Sequence, residues 1–250
     1  GTLWKMGDMF QLSVELYDTK DKKVVWSDRW QEKWDNLPTI KGSLSDGLLK
    51  ALDTKPKVEQ KVETTNPEAY KLYLKAKHIF DSRKNIDDTK IAQELLNKAI
   101  LLDKNLIMVK ILLGNTHWYS NDSKKTLELF SIALKQSEAI GDKCMMAECL
   151  YSLGGYYSAE SNYDKTLSYI DKALIIYKEL GDKNGIGVSM MGIGGIYFNK
   201  GDFGKALDYI TFSHEIQEGL GNKQGIGLAL NNLGLICTKK GDWNKALDYH

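Results

Sequence analysis

Residues 181–221 read GDKNGIGVSMMGIGGIYFNKGDFGKALDYITFSHEIQEGLG, and this stretch decides the fold because it is one period of a repeat. Its opening mark, Gly181-Asp182-Lys183, has counterparts at Gly141-Asp142-Lys143 and Gly221-Asn222-Lys223, a spacing of 40. Between the marks the register holds. Leu153-Gly154, Ile193-Gly194 and Leu233-Gly234 align, with Leu113-Gly114 one period earlier, and Tyr157 aligns with Tyr197. Tyr163, Phe203 and Trp243 fill one aromatic position. Lys165-Thr166-Leu167, Lys205-Ala206-Leu207 and Lys245-Ala246-Leu247 fill the next block, preceded by Lys125-Thr126-Leu127.

Each period reads as two amphipathic helices. Met146, Leu150, Leu153 and Tyr157 fall at steps of four, three and four, which is one helical face. A turn follows at Asn162-Tyr163, or at Lys200-Gly201-Asp202 in the next copy. The second helix places Leu167, Ile170, Ala173, Leu174 and Tyr177 on one face and ends at Leu180-Gly181, where glycine serves as a left-handed cap. The Asp or Asn after that glycine caps or turns the chain into the next unit. Three prolines in 250 residues suit a helical chain.

Small residue, aromatic, turn glycine, aromatic, small, small: this order resembles the tetratricopeptide repeat. Gly154, Tyr157, Tyr163, Thr166, Ile170 and Ala173 occupy those places in one copy. Gly194, Tyr197, Gly201, Phe203, Ala206, Ile210 and Ser213 occupy them in the next. The period of 40, against about 34 for the common form, is similar to the long-helix subtype of the LGN/Pins adaptors and many bacterial signalling proteins. The resemblance covers residues 67–250 and implies a mainly all-α, right-handed superhelix, an α-solenoid. It holds about four complete repeats and the start of a fifth. Ala92, Leu96 and Ala99 lie 34 before Thr126, Phe130 and Ala133, so the first unit is shorter. Its first helix is expected from Pro67 through Phe80. Leu102-Asp103-Lys104-Asn105 departs from the family's usual Asp-Pro-Asn ending.

Residues 1–52 follow a period of two. Phe10, Leu12, Val14 and Leu16 alternate with Gln11, Ser13, Glu15 and Tyr17, a half-buried strand entered by a hairpin at Met6-Gly7-Asp8-Met9. Asp18 through Lys22 returns the chain into Val24-Val25-Trp26-Ser27-Asp28-Arg29-Trp30. Ile40, Leu44, Leu48 and Leu52 then give a helix, with Leu37 at its entry. Three strands and one helix make a small, incomplete α+β segment with an uncovered sheet face or edge. The motifs Lys5-Met6-Gly7-Asp8 and Val25-Trp26-Ser27-Asp28-Arg29-Trp30 resemble the end of a TolB-amino-terminal-like domain. That domain precedes tetratricopeptide repeats in bacterial class III adenylate/guanylate cyclases, and the junction Asn66 through Lys75 is similar to the phrase that opens those repeats. The same modules also follow DNA-binding domains in some regulators. The resemblance implies a chain cut at both ends, mid-domain before Gly1 and mid-helix after His250. Residues 53–66, polar and charged with Pro56, have linker composition.

Composition excludes much. Hydrophobic residues at 42% and charged residues at 27% describe a globular chain, and a net charge of +1 leaves no basic footprint for nucleic acid or anionic lipid. No apolar run of about 18 residues exists to span a membrane. Three cysteines cannot all pair internally and sit in helical patterns, which points to a reduced, cytoplasmic compartment. Cys144 and Cys149 lie about 140° apart around one helix and do not jointly face a metal. His78, His117, His214 and His250 form no ligand pair at helical spacing, and His117 takes the inward aromatic position of its repeat. The glycine patch from Gly185-Ile186-Gly187 to Gly192-Ile193-Gly194-Gly195 follows no strand and fits neither dinucleotide nor phosphate-loop spacing, so close helix packing is its expected role. Trp4, Trp26, Trp30 and Trp34 read as packing under a covering helix rather than as a base-stacking platform. No catalytic residue, metal ligand or cofactor site is expected.

What remains is recognition. In the family the concave wall is made by the first helix of each unit, with inward positions three residues before the small glycine and one after. These are Ile111 and Asn115, Tyr151 and Gly155, Met191 and Gly195, Asn231 and Leu235; Trp118, Ser158, Phe198 and Thr238 lie one turn on. The lysines of a carboxylate clamp are missing. The wall is apolar with a few amides and hydroxyls, suited to an extended or helical peptide, with Asn115 and Asn231 available to its backbone. The alternative is that these residues pack against neighbouring units or another domain of the same chain. The sequence reading is therefore a non-catalytic scaffold and regulatory segment of a cytoplasmic bacterial signalling protein of the class III cyclase kind. A stand-alone peptide-binding adaptor and the sensor arm of a transcription regulator are the other readings. The expected partner is a protein or peptide, not nucleic acid or membrane, with self-association through the cut end as an additional contact.

Overall fold

The computed structural model describes residues 2–6, 9–18, 23–33, 44 and 66–249. The chain divides inside a helix, between Val109 and Lys110, into two compact units.

The first unit opens with an antiparallel sheet in the order β1 (Thr2–Met6), β2 (Met9–Asp18), β3 (Lys23–Lys33). Met6 pairs with Met9, so β1 and β2 are consecutive antiparallel strands, as the hairpin reading expects. Leu12 pairs with Trp30 and Leu16 with Trp26, whereas Trp4 pairs with Gln11. Because side chains alternate, Trp26 and Trp30 share a face with Phe10 while Trp4 stands on the other. Phe10 is 1% exposed and Trp4 65%; the rings of Trp26 and Trp30 lie 6.1 Å apart. Among the described residues no single aromatic platform forms. Trp34, the turns at 7–8 and 19–22, the helix expected around Leu48 and Leu52, and the linker up to 65 lie outside the described residues.

Helices α1 (Pro67–Asp81) and α2 (Ile86–Leu102) complete this unit with the start of α3 (Ile107–Tyr119). Asn66 starts α1. Its side-chain oxygen accepts from the amides of Glu68 and Ala69, both at 3.1 Å, and its Nδ2 donates to the Leu102 carbonyl at 3.2 Å. Pro67 follows at the one helical position where its missing N–H costs nothing. After α2 the Asn105 amide donates to Asp103 Oδ1 at 2.9 Å, an aspartate turn where the family's usual proline is absent.

The second unit continues α3 and adds α4 (Ser123–Ile140), α5 (Lys143–Ala159), α6 (Tyr163–Leu180), α7 (Lys183–Asn199), α8 (Phe203–Leu220), α9 (Lys223–Lys240) and α10 (Trp243–Tyr249). It is an α-solenoid whose punctuation repeats every 40 residues. Gly141, Gly181 and Gly221 end the second helices at φ of 70°, 65° and 65°, the left-handed caps expected from the sequence. A second left-handed turn ends each first helix, at Asn121 (57°), Ser161 (56°), Gly201 (79°) and Gly241 (79°). Asp142, Asp182 and Asn222 accept from the amide three residues on and cap the first helices. Asp122, Asn162, Asp202 and Asp242 do the same for the second.

Packing uses the small positions. A Cβ on Gly114 would lie 2.5 Å from the Phe130 ring, on Gly154 2.6 Å from Ile170, and on Gly194 2.7 Å from Ile210. Each glycine thus admits the large residue of the partner helix. Ala173, Tyr177, Ala147 and Leu150 form one buried cluster; Ala206, Ile210, Ala229, Leu233 and Ile236 form the next. The glycine patch divides. Gly185 is pressed by the Tyr177 ring and Gly187 by Gln217, but Gly195 faces open space.

Candidate functional site

The first helices of the second unit lie side by side, α5 against α7 and α7 against α9, and form a layer of their own. The residues assigned to its inner wall occupy three kinds of environment. Trp118 (38%), Leu235 (43%) and Asn231 are exposed. Asn115, Tyr151, Ser158, Met191, Phe198 and Thr238 are half-buried. Ile111, only 7% exposed, is packing rather than surface.

The structure gathers four of them, Gly155 included. Trp118, Tyr151 and Ser158 line an open pocket of about 350 Å³ with Gly155, Thr166, Ile170, Gly192 and Ile196. Trp118 comes from the end of α3, Tyr151 and Ser158 from α5, and the floor from α6 and α7. Thr166 Oγ1 donates to the Asn162 carbonyl at 2.9 Å, so its hydroxyl is already engaged. Burial raises the Tyr151 phenol above its ordinary range, and it stays protonated.

The other wall residues are not part of this pocket. Met191 and Phe198 pack onto the Ala206–Ile236 cluster, and the Phe198 ring lies 5.6 Å from Phe203. Thr238 Oγ1 donates to the Gly234 carbonyl at 2.9 Å. Sequence spacing found the pocket's walls but missed its floor. Thr166 and Ile170 sit on a second helix and Gly192 and Ile196 in the following repeat, none at the inward positions. The signal in the sequence was the glycine at 192, where a Cβ would come within 3.0 Å of Ile170 Cδ1.

Outside the pocket, one arrangement recurs that spacing alone did not reveal. Tyr157 stacks on Tyr169 at 5.4 Å and Tyr197 on Tyr209 at 5.6 Å, with Lys165 and Lys205 over the first ring of each pair. Lysine, tyrosine and tyrosine clamp the two helices of a unit together. His117 occupies the same place one period earlier. Its side chain is 13% exposed, with Nδ1 3.4 Å from Asp122. Burial first, then the Lys125 charge, lowers its pKa below 6.5, while Asp122 opposes the shift. His214 Nδ1 lies 3.7 Å from Glu218, a contact between a half-buried imidazole and an exposed carboxylate on one helix.

Among the described residues, Cys144, Cys149 and Cys237 form no disulfide. Among the described residues no group of three His, Cys, Asp or Glu is placed to hold a metal ion. None of the described helices is long and apolar enough to cross a membrane.

Comparison with known proteins agrees with this architecture. Residues 185–250 match the tetratricopeptide repeat family model. Among solved structures, a Rap protein complexed with Competence and Sporulation Factor superposes with a TM-score of 0.65 at 18% identity, over 83% of this chain and 57% of that one. A signal transduction ATPase with numerous domains from Pyrococcus horikoshii, which has a tetratricopeptide repeat sensor, gives 0.62 at 18% identity, over 72% and 28%. BtubC from P. vanneervenii gives 0.56 at 16%, over 72% and 85%. At these identities the likeness is one of fold, and the chain spans 57% of the Rap protein's length. No curated protein matches the sequence.

Proposed function

We propose that residues 110–250 form a non-catalytic protein-interaction module that takes an extended or helical peptide along the layer of first helices. One observation carries the reading: Trp118, Tyr151 and Ser158, separate in sequence, converge on an open apolar pocket of that layer. Large, rigid aromatics in a partly desolvated pocket are the residue types that anchor protein contacts. The tetratricopeptide match supports the same class of role. The Rap protein complexed with its factor and the signal transduction ATPase with its tetratricopeptide repeat sensor supply an analogy for such a role.

The wider role follows from the first 52 residues and the junction at Asn66–Lys75, which resemble the layout of bacterial class III nucleotide cyclases. On that resemblance we take the segment to be the regulatory and scaffold arm of a cytoplasmic signalling protein. A stand-alone peptide-binding adaptor and the sensor arm of a transcription regulator are the other readings. Against a peptide ligand stands a packing role for the wall, which Met191 and Phe198 already serve.

The test is a selection from a phage library of linear peptides of about a dozen residues against the whole chain. Selected peptides should lose about tenfold or more in affinity for Trp118→Ala and bind Lys172→Ala, on the exposed face of α6, as tightly as the native chain. Equal loss with both variants, or peptides insensitive to Trp118, would refute the proposal.

A further inference from the structure

We infer that the bound segment is acidic, and that Lys183, Lys223, Lys239 and Lys240, at the two ends of α7 and α9, meet its carboxylates. This deepens the proposal above and rests on it.

The layer of first helices is nearly free of negative charge. Helices α3, α5, α7 and α9 contain one carboxylate, Glu148, and α7 and α9 contain none. Lysine opens three of them, at 143, 183 and 223, and lysine stands at the far ends of the last two, at 200, 239 and 240. All of these lysines are exposed. The second helix between α7 and α9 has the opposite balance, with Asp208, Glu215 and Glu218 against Lys205 on α8.

The earlier period shows how such lysines are neutralised. Lys143 Nζ donates to Glu179 Oε2 at 2.8 Å, near the end of α6. Lys200 Nζ lies 3.4 Å from Asp164 Oδ1, at the start of α6. One period on, the lysines recur as Lys183 and Lys240, but Gly219 takes the place of Glu179 and Gly204 that of Asp164. Steric need does not explain these glycines. A Cβ on Gly219 would meet nothing within 4 Å, and one on Gly204 only Asp202 Oδ1 at 3.6 Å. The cap before Lys223 changes in the same sense. Where Asp142 and Asp182 precede their lysines, Asn222 still accepts from the Gly225 amide at 3.2 Å but brings no charge. Among the described residues no carboxylate pairs with Lys183, Lys223, Lys239 or Lys240. Asp242, whose field reaches Lys240, is already paired with Lys245 at 3.2 Å.

Unmatched cations with no anion in their own helices make both ends of α7 and α9 electropositive, while Met191, Gly195, Asn231 and Leu235 between them are uncharged. Such a field draws in an acidic partner and turns away a basic one. Trp118 and Tyr151 anchor from α3 and α5, so the segment is apolar over that part of the layer and acidic over α7 and α9. Because the lysines are exposed, they act through association rate and are screened by salt.

Peptides from the phage selection give the first readout. Those that depend on Trp118 should carry more Asp and Glu than Lys and Arg, relative to the unselected library. The second readout restores the missing partners. Gly204→Asp with Gly219→Glu, in one chain with native circular dichroism, should weaken a selected peptide about fivefold in about 0.05 M salt and far less in about 0.5 M. Lys183→Gln with Lys240→Gln, which leaves α8 untouched, should weaken it to the same extent. The same peptide with Asn and Gln in place of Asp and Glu should bind all three chains alike. Trp118-dependent peptides without an acidic excess would overturn the inference and leave the interaction surface standing. So would an acidic peptide that binds the variants as tightly as the native chain, or a neutralised peptide that loses as much. Peptides insensitive to Trp118 would remove both. Phosphatidylcholine vesicles with about one-third phosphatidylserine should not retain the chain; retention that the same variants weaken would assign the lysines to a membrane and overturn the inference.

Discussion

The repeat from Lys143 to Gly181 and the repeat from Lys183 to Gly221 share caps, turns and aromatic stacks, yet they close against the next helix with different chemistry. In the first, Tyr177 is 6% exposed and its ring covers Gly185. In the second, Gln217 is 0% exposed and lies over Gly225, where a Cβ would be 2.5 Å from Oε1. Glycine at the start of a first helix is therefore dictated by the bulk of the residue that precedes the turn. The two solutions differ in polar cost. Tyr177 buries a ring, whereas Gln217 accepts from Asn222 Nδ2 at 2.7 Å and leaves its own Nε2 without a partner. A buried donor left unpaired costs about 1–3 kcal/mol; the second junction is the weaker one.

Tyr177→Ala should have the largest effect, a loss of about 3–5 kcal/mol, since it empties the space that Gly185 leaves open. Urea unfolding measures it, and a loss below about 1 kcal/mol would mean that the Tyr177–Gly185 fit is not what closes the junction. Next comes a matched pair on α7. Gly194→Leu should cost about 1–3 kcal/mol, because its Cβ meets Ile210 at 2.7 and 2.8 Å and the Ala206 carbonyl at 3.3 Å. Gly195→Ala, one residue on and with nothing within 4 Å, should gain about 0.5–1 kcal/mol through helix propensity. Thermal melts that moved both variants the same way would break the assigned register.

Gln217→Tyr recreates the first junction in the second. It should raise the melting midpoint by the equivalent of about 1 kcal/mol, since it removes the unpaired amide; a lower midpoint would show that Gln217 is compensated in a way Tyr177 is not. The smallest effect concerns the position of Tyr157 and Tyr197 in the earlier period, where His117 stands. Its folded pKa lies below 6.5, so the unfolded chain binds the proton more readily. Its stability contribution is intact above pH 6.5 and is lost as pH falls through the folded pKa. His117→Tyr should flatten that part of the pH dependence, measured as the difference between the two chains' midpoints on going from pH 7 to roughly pH 5. An unchanged slope would remove His117 from the account.

Much of this was legible beforehand, for a stated reason. Glycine with positive φ, a capping Asp or Asn and a small residue where helices touch are local demands, so Gly181, Asp182 and the small position at Gly154 were readable from spacing. The strand at Phe10–Leu16 was readable because alternation is itself the structure. The pocket was legible only by half. Its walls obey the repeat, but Ile170 and Gly192 reach it from a second helix and the following unit, a juxtaposition that period alone does not encode. Met191 and Phe198 show the converse. Their positions match Tyr151 and Ser158, yet both side chains turn to packing, because only the local neighbours decide whether an inward residue becomes surface or core.

Hydrogen exchange on the whole chain, with and without a selected peptide, tests the central claim most directly. Added protection is expected in α3, α5, α7 and α9, greatest around Trp118, Tyr151 and Ser158, with α4, α6 and α8 changed little. Protection confined to the second helices, or spread evenly over both layers, would contradict it.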